Sequence, residues 1–133
     1  MHVPARFILL LCLLLIAGCG KAQKSTDELI VDLKSEKAQD RIAAARFLRD
    51  RKGDAATIVP VLIESLKDKE TDVRLSAAVR LGEFGEEAKS AIPQLQVTVK
   101  DKDARVRRVA GIALSRIDPN LAPQTDPLQS PAK

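Results

Sequence analysis

An all-α solenoid of about three stacked antiparallel helix pairs is the fold this sequence predicts, and three observations predict it. Laid on itself at an offset of 33, the chain gives a gapless register: Leu29, Leu62 and Leu95 coincide, as do Arg41, Arg74 and Arg107, Ala44, Ala77 and Ala110, and Leu48, Leu81 and Leu114. A period of about 20 to 50 residues marks stacked supersecondary units, each unable to bury its apolar face alone. Each unit carries two apolar stripes at steps of three and four, the spacing of a helix face. Hydrophobic residues make up 45% of the chain and charged ones 30%, a balance that suits a folded helical domain better than a disordered one.

The elements follow in order. Ser25-Thr26-Asp27-Glu28 reads as a capping box opening a first helix over 26–35. Its partner is expected over 38–51. In the middle unit, Ile58, Val59, Leu62 and Leu66 place a helix over 57–67. Val73, Ala77, Ala78, Leu81 and Phe84 place the next over 70–84, with Lys67 to Glu70 as the charged turn between them. The last pair falls over 90–100 and 103–117. Thr57 and Ser90 are expected N-caps, which puts Pro60 and Pro93 in a first turn, where a missing N–H costs little. Gly53 and Gly85 stand where helices should stop.

The stretch from Leu66 to Gly85 closely resembles a short bacterial HEAT repeat, also similar to the HEAT-like repeats related to phycobilin lyases. Asp68, Val73-Arg74, Ala77-Ala78, Leu81-Gly82 and Gly85 carry the likeness, followed by Ile92-Pro93 before Leu95. The third copy keeps Asp101, Val106-Arg107, Ala110 and Leu114. The first is divergent, with Ser35, Asp40 and Arg51 replacing the Asp, the Val and the Phe. The resemblance covers about residues 26–117, within a repeat domain expected over 26–118, and implies an armadillo-like solenoid that binds proteins rather than doing chemistry. Terminal repeats lack a neighbour on one side and need a polar face, which suits Asp40 and Arg51 at core-equivalent positions.

The ends differ from this body. Residues 1–18 read as a signal peptide: Arg6 precedes an eleven-residue apolar run, Phe7 to Ala17, too short for the roughly 20 residues of a membrane span. Ile16-Ala17-Gly18-Cys19 resembles the lipobox of bacterial lipoproteins, which implies cleavage before Cys19 and lipidation of its thiol. An ordinary cleaved signal is the alternative. Several acyl chains would anchor the protein stably. Residues 19–25 then form a linker, of which Gly20 to Lys24 reaches about 17 Å when extended, so the first repeat would lie near the bilayer. Residues 119–133 carry Pro119, Pro123, Pro127 and Pro131 and read as a disordered tail, either featureless or a docking peptide.

Composition excludes much chemistry. The only histidine is His2 and the only cysteines are Cys12 and Cys19, so the body has no imidazole or thiol for general-base, nucleophilic or His/Cys metal chemistry. There is no Trp or Tyr, which argues against base-stacking platforms. No enzyme activity, metal, cofactor, small-molecule substrate or nucleic acid is expected. In HEAT-like stacks this Arg and Asp hydrogen-bond within and between repeats, so the resemblance implies a structural ladder of Asp68, Arg74, Asp101 and Arg107, in which Arg74 and Arg107 are expected to tie to Asp68 and Asp101. The partner of Arg41 is left open, because Ser35 replaces the matching Asp. A binding strip of arginines is the other reading.

Charge is uneven: residues 100–116 hold six bases and two acids, residues 64–87 four bases and seven acids. Solvated helix faces and an anionic partner are both open readings. Second helices of such pairs usually line the concave side, so Arg80, Arg105, Arg108 and Arg116 are the candidate partner-binding residues. The expectation is a lipid-anchored scaffold that binds an unidentified protein of the cell envelope, at the outer membrane or the outer face of the cytoplasmic membrane. The alternatives are a charge-driven adaptor on anionic lipid or polymer, and a lyase-like enzyme or enzyme accessory.

Overall fold

The structure, a computed structural model, describes residues 24–121. Six α-helices lie among them: α1 (Thr26–Asp32), α2 (Ala38–Phe47), α3 (Ala55–Ser65), α4 (Thr71–Phe84), α5 (Ile92–Thr98) and α6 (Ala104–Ile117). They form three stacked pairs, α1–α2, α3–α4 and α5–α6, as the 33-residue register predicts. The signal segment, Cys19 and the tail beyond Leu121 lie outside the described residues. Pro119–Leu121, expected to open the tail, forms a 3₁₀ turn instead. Leu121 N–H donates to the Asp118 carbonyl, and the Asp118 carboxylate accepts from Asn120.

The expected capping box is present. Ser25 Oγ accepts from Glu28 N–H at 3.2 Å, and the Glu28 carboxylate accepts from Ser25 N–H at 2.7 Å. These bonds hold the Glu28 carboxyl below the usual carboxylate range. The α1 helix stops at Asp32, short of the expected 35, and the Asp32 carboxylate pairs with Lys24. Gly85 closes α4 at φ +58°, a left-handed conformation that side chains resist. Gly53 falls within a 3₁₀ turn, Lys52–Asp54, that leads into α3.

Two expected caps fail. The α3 helix begins at Ala55, ahead of Thr57, so Pro60 is an interior residue. Its ring denies a bond to the Ala56 carbonyl, but Ala56 and Pro60 are both exposed, which leaves that carbonyl on the solvent side of the helix. Ser90 is not a cap either. A 3₁₀ segment, Gly85–Ala91, runs straight into α5, and Ala91 takes the cap position while Pro93 keeps its place at the helix start.

The stripes pack as their spacing predicts. One contiguous core joins Leu29, Ala44, Leu48, Ile58, Leu62, Ala77, Leu81, Leu95, Ala110 and Leu114 across all three pairs. Burial of apolar surface, at about 25 cal/mol per Å², is the term that holds such a stack together. Helix α4 lies tightly against α6 at Gly82. A Cβ there would lie 3.0 Å from Ala113 Cα and 3.2 Å from its Cβ. Arg49 holds the corresponding place in the first repeat, in the 3₁₀ turn Leu48–Asp50 that follows α2, and its side chain is too large for that approach.

The Gly82 contact orients the stack. Position 82 looks toward the third pair, and Leu75, two turns earlier, lies on the same side of α4. The register carries this forward-looking side to Ile42 in α2 and Arg49 in the 3₁₀ turn after it, and to Arg108 and Ser115 in α6. Arg49 indeed reaches Glu83 of the second pair, at 3.9 Å.

Candidate partner-binding surface

The turns between paired helices carry the arginine–aspartate ladder, and its side-chain pairing runs between repeats. Arg41 Nε and Nη2 donate to the two Asp68 oxygens at 2.7 and 2.9 Å. Arg74 does the same to Asp101, at 2.8 and 2.9 Å. The pairing expected within a repeat, Arg74 to Asp68 and Arg107 to Asp101, is therefore corrected. Each arginine spans 27 residues to the aspartate of the following repeat. Within its own repeat it meets mainly main chain, Arg74 Nη2 also lying 3.4 Å from the Thr71 hydroxyl. Nη1 of Arg41 donates to the Ser35 and Glu36 carbonyls, that of Arg74 to the Asp68 and Lys69 carbonyls, and that of Arg107 to the Asp101 and Lys102 carbonyls.

The geometry has a local cause. Each aspartate first accepts the main-chain N–H two residues on, Glu70 for Asp68 and Asp103 for Asp101, at 2.9 and 2.8 Å. That bond aims the carboxylate away from its own repeat's arginine and toward the preceding one. In the first repeat, Ser35 Oγ takes over the local role, accepting from Lys37 N–H at 3.2 Å and donating to the Asp40 carboxylate at 3.0 Å. Among the described residues no repeat precedes it to supply an arginine, so a hydroxyl suffices where later copies need a carboxylate. Burial pushes the Asp68 carboxyl up, but Arg41 and the Glu70 amide outweigh it and leave it below the ordinary range. Arg74 holds Asp101 below that range against burial.

The four arginines expected to face a partner do not share one surface. Arg80 is held against the stack, its side chain 12% exposed and paired with Glu83. Arg105 is exposed but committed: it donates to Asp103 at 3.3 and 3.2 Å and lies 3.6 Å from Asp72. The Arg105 side chain, helped by the main-chain amides of Arg105 and Val106, holds the Asp103 carboxyl below its usual range. Arg108 is exposed on the forward-looking side of α6, where Ile42 and Leu75 pack in earlier repeats, so it belongs to the C-terminal end of the stack. Arg116 is exposed, and its stem passes over Gly82.

The outward row of the second helices also carries residues the sequence reading missed. The register aligns Arg46, Val79 and Ile112, and Phe47 follows Arg46. Phe47 is 65% exposed and Ile112 41%. The stripe itself held the signal: Ala44, Ala45 and Leu48 take the buried arc, and Phe47 falls outside it. Arg51, equivalent to Phe84, is half-buried and donates to the Lys24 carbonyl at 2.7 Å, pinning the start of the domain. No group of three or more His, Cys, Asp or Glu among the described residues is placed to hold a metal ion. No described helix is long and apolar enough to cross a membrane.

The inter-repeat ladder and the stacked pairs agree with a direct comparison: residues 26–115 match the family described as HEAT repeats. The chain belongs to the HEAT-repeat family. HEAT repeats generally serve as protein–protein interaction scaffolds, and the family is typically non-enzymatic. None of the curated proteins compared with the chain matches it.

Proposed function

We propose that this HEAT-repeat chain is a scaffold of the bacterial cell envelope, held to a membrane by lipid on Cys19 and binding a protein partner along its second helices. The observation that carries the binding reading is the outward row on α2, α4 and α6. There Phe47 and Ile112 stand exposed, as do Arg46 and Arg116. Exposed aromatic and arginine side chains are the residue types enriched at interface anchors. The anchor rests on the apolar run Phe7 to Ala17 and the small residues before Cys19.

The test is capture from detergent-solubilised envelope by the full chain. Phe47→Ala with Arg116→Glu should weaken capture, and Lys34→Glu with Lys37→Glu on the first repeat should matter less. Exposed Lys34, Lys37, Lys100 and Lys102 favour a second reading, a basic adaptor on anionic lipid or polymer. Equal loss from both variant pairs, together with binding that vanishes at physiological salt, decides for the adaptor. Cys19→Ser should leave a product that no longer partitions into detergent; partitioning that survives the change refutes the anchor.

A further inference from the structure

The ladder makes two complete rungs and one open one. Arg41 and Arg74 are 6% and 5% exposed, each with Nη1 on two turn carbonyls and with Nε and Nη2 on an incoming carboxylate. Arg107 is set in the same way, its Nη1 on the Asp101 and Lys102 carbonyls at 2.9 and 3.2 Å, yet its side chain is exposed. No carboxylate among the described residues reaches its Nε and Nη2. The fork that receives an aspartate twice in this chain is thus preorganised a third time and turned outward. Arg108 stands on the same end of the stack, in place of Ile42 and Leu75, and residues 100–116 carry a net charge of +4.

We propose that the C-terminal end of the stack is a docking site for a partner protein's acidic turn, whose aspartate carboxylate completes the Arg107 rung. Bidentate recognition of a carboxylate by a guanidinium is geometrically demanding, so a fixed fork selects more sharply than a basic patch. The occupant that fits is a helix–turn–helix unit whose turn aspartate also caps the amide two residues on, as Asp68 and Asp101 do. A second copy of this chain fits poorly, since its first turn offers Ser35 and the bases Lys34 and Lys37. The inference rests on the scaffold reading and adds a second contact site to it.

The test uses the full ¹⁵N-labelled chain in detergent and, as probe, a synthetic peptide of residues 57–84, which carries the Asp68 turn. The Arg107 Nε–H signal should shift and gain protection from exchange on adding the peptide. Arg107→Lys in the chain, or Asp68→Asn in the peptide, should each weaken binding at least tenfold. As a second measurement that does not depend on the free peptide folding, residues 85–117 are duplicated directly after Ile117, which sets an aspartate 27 residues beyond Arg107. There Arg107→Lys should lower the unfolding midpoint at least twice as far as in the parent chain. Equal binding by the Lys variant overturns the proposal, because charge alone then suffices. So does a free-state Arg107 signal that is already protected and is released by Asp126→Asn, which would make the chain's own tail the occupant. Self-association lost with Arg107→Lys would make the occupant a second copy and overturns it as well. No peptide binding together with no Arg107 effect in the extended chain also overturns it. Envelope capture that depends on Phe47 and Arg116, while Arg107 neither binds peptide nor matters in the extended chain, would sink this inference and leave the scaffold standing. Peptide binding without envelope capture would do the reverse.

Discussion

Replacing Arg74 with Gln breaks the inner rung of the ladder and leaves Asp101 to face the consequence. The Arg74 side chain is 6% exposed and that of Asp101 11%, so neither group has bulk water to fall back on. The substitution removes two charge-assisted bonds to Asp101 and two more from Nη1 to the Asp68 and Lys69 carbonyls. Asp101 keeps only the amide of Asp103. Removing one partner of a buried pair costs about 3–5 kcal/mol, mostly because the other charge is left desolvated. Small domains have roughly 5–15 kcal/mol in total, so the loss should be visible at once in urea denaturation followed by far-UV circular dichroism. The control is Arg107→Gln, an exposed side chain whose loss should stay under about 1 kcal/mol. Adding Asp101→Asn to Arg74→Gln removes the stranded charge and should recover part of the loss, giving a coupling energy of about 1–3 kcal/mol in the double-mutant cycle. Equal destabilisation by Arg74→Gln and Arg107→Gln, or a coupling energy near zero, would refute the inter-repeat rung as a stabilising element.

Acid should weaken the stack through the same carboxylates. Asp68 and Asp101 sit below their ordinary value of 3.8 when folded, so their contribution is fully present above that value and is lost as pH falls through the lowered ones. Urea midpoints should hold from pH 7 to about 5 and fall below about 4, and a Asp68→Asn/Asp101→Asn chain should show a shallower fall; parallel curves would count against the assignment. Leu81→Ala empties a fully buried site at the centre of the stack and should cost about 2–5 kcal/mol by chemical denaturation; a protein as stable as the parent would contradict the continuous core. Gly82→Val drives two methyl groups into the Ala113 backbone and should cost about 1–3 kcal/mol, with the thermal midpoint as readout. An unchanged midpoint would mean that α4 and α6 do not approach as closely as the structure places them.

Much of this molecule is legible from local chemistry. The repeat register and both stripes of the middle pair follow from spacing alone, because the side that must be buried is set by 3.6-residue periodicity and needs no partner to be recognised. The capping box at Ser25 and the stop at Gly85 are equally local: a hydroxyl three residues before a glutamate, and a residue free to adopt φ +58°. The Ser25 box succeeds where Thr57 fails for a physical reason. Thr57 competes with the 3₁₀ turn Lys52–Asp54, which winds the chain before the hydroxyl can act, and tertiary packing of α3 tolerates Pro60 on its wet side.

The ladder marks the boundary between what the sequence by itself determined and what only the tertiary structure decided. The sequence determined that three arginines recur at a fixed phase near the start of the second helices, and two aspartates in the turns before them. It did not determine who pairs with whom, because Asp68 and Arg74 are close enough along the chain for either answer. The choice falls to the direction in which the turn aims its carboxylate and to the repeat stacked before it. Both depend on the rigid-body placement of one helix pair on the next. The same placement decides that Arg80 is enclosed, that Arg108 belongs to the end of the stack, and that Phe47 is left outside the core. Periodicity reports which face of a helix is buried; it carries no information on what a polar side chain meets beyond its own repeat, since that contact is made by residues 27 or more positions away.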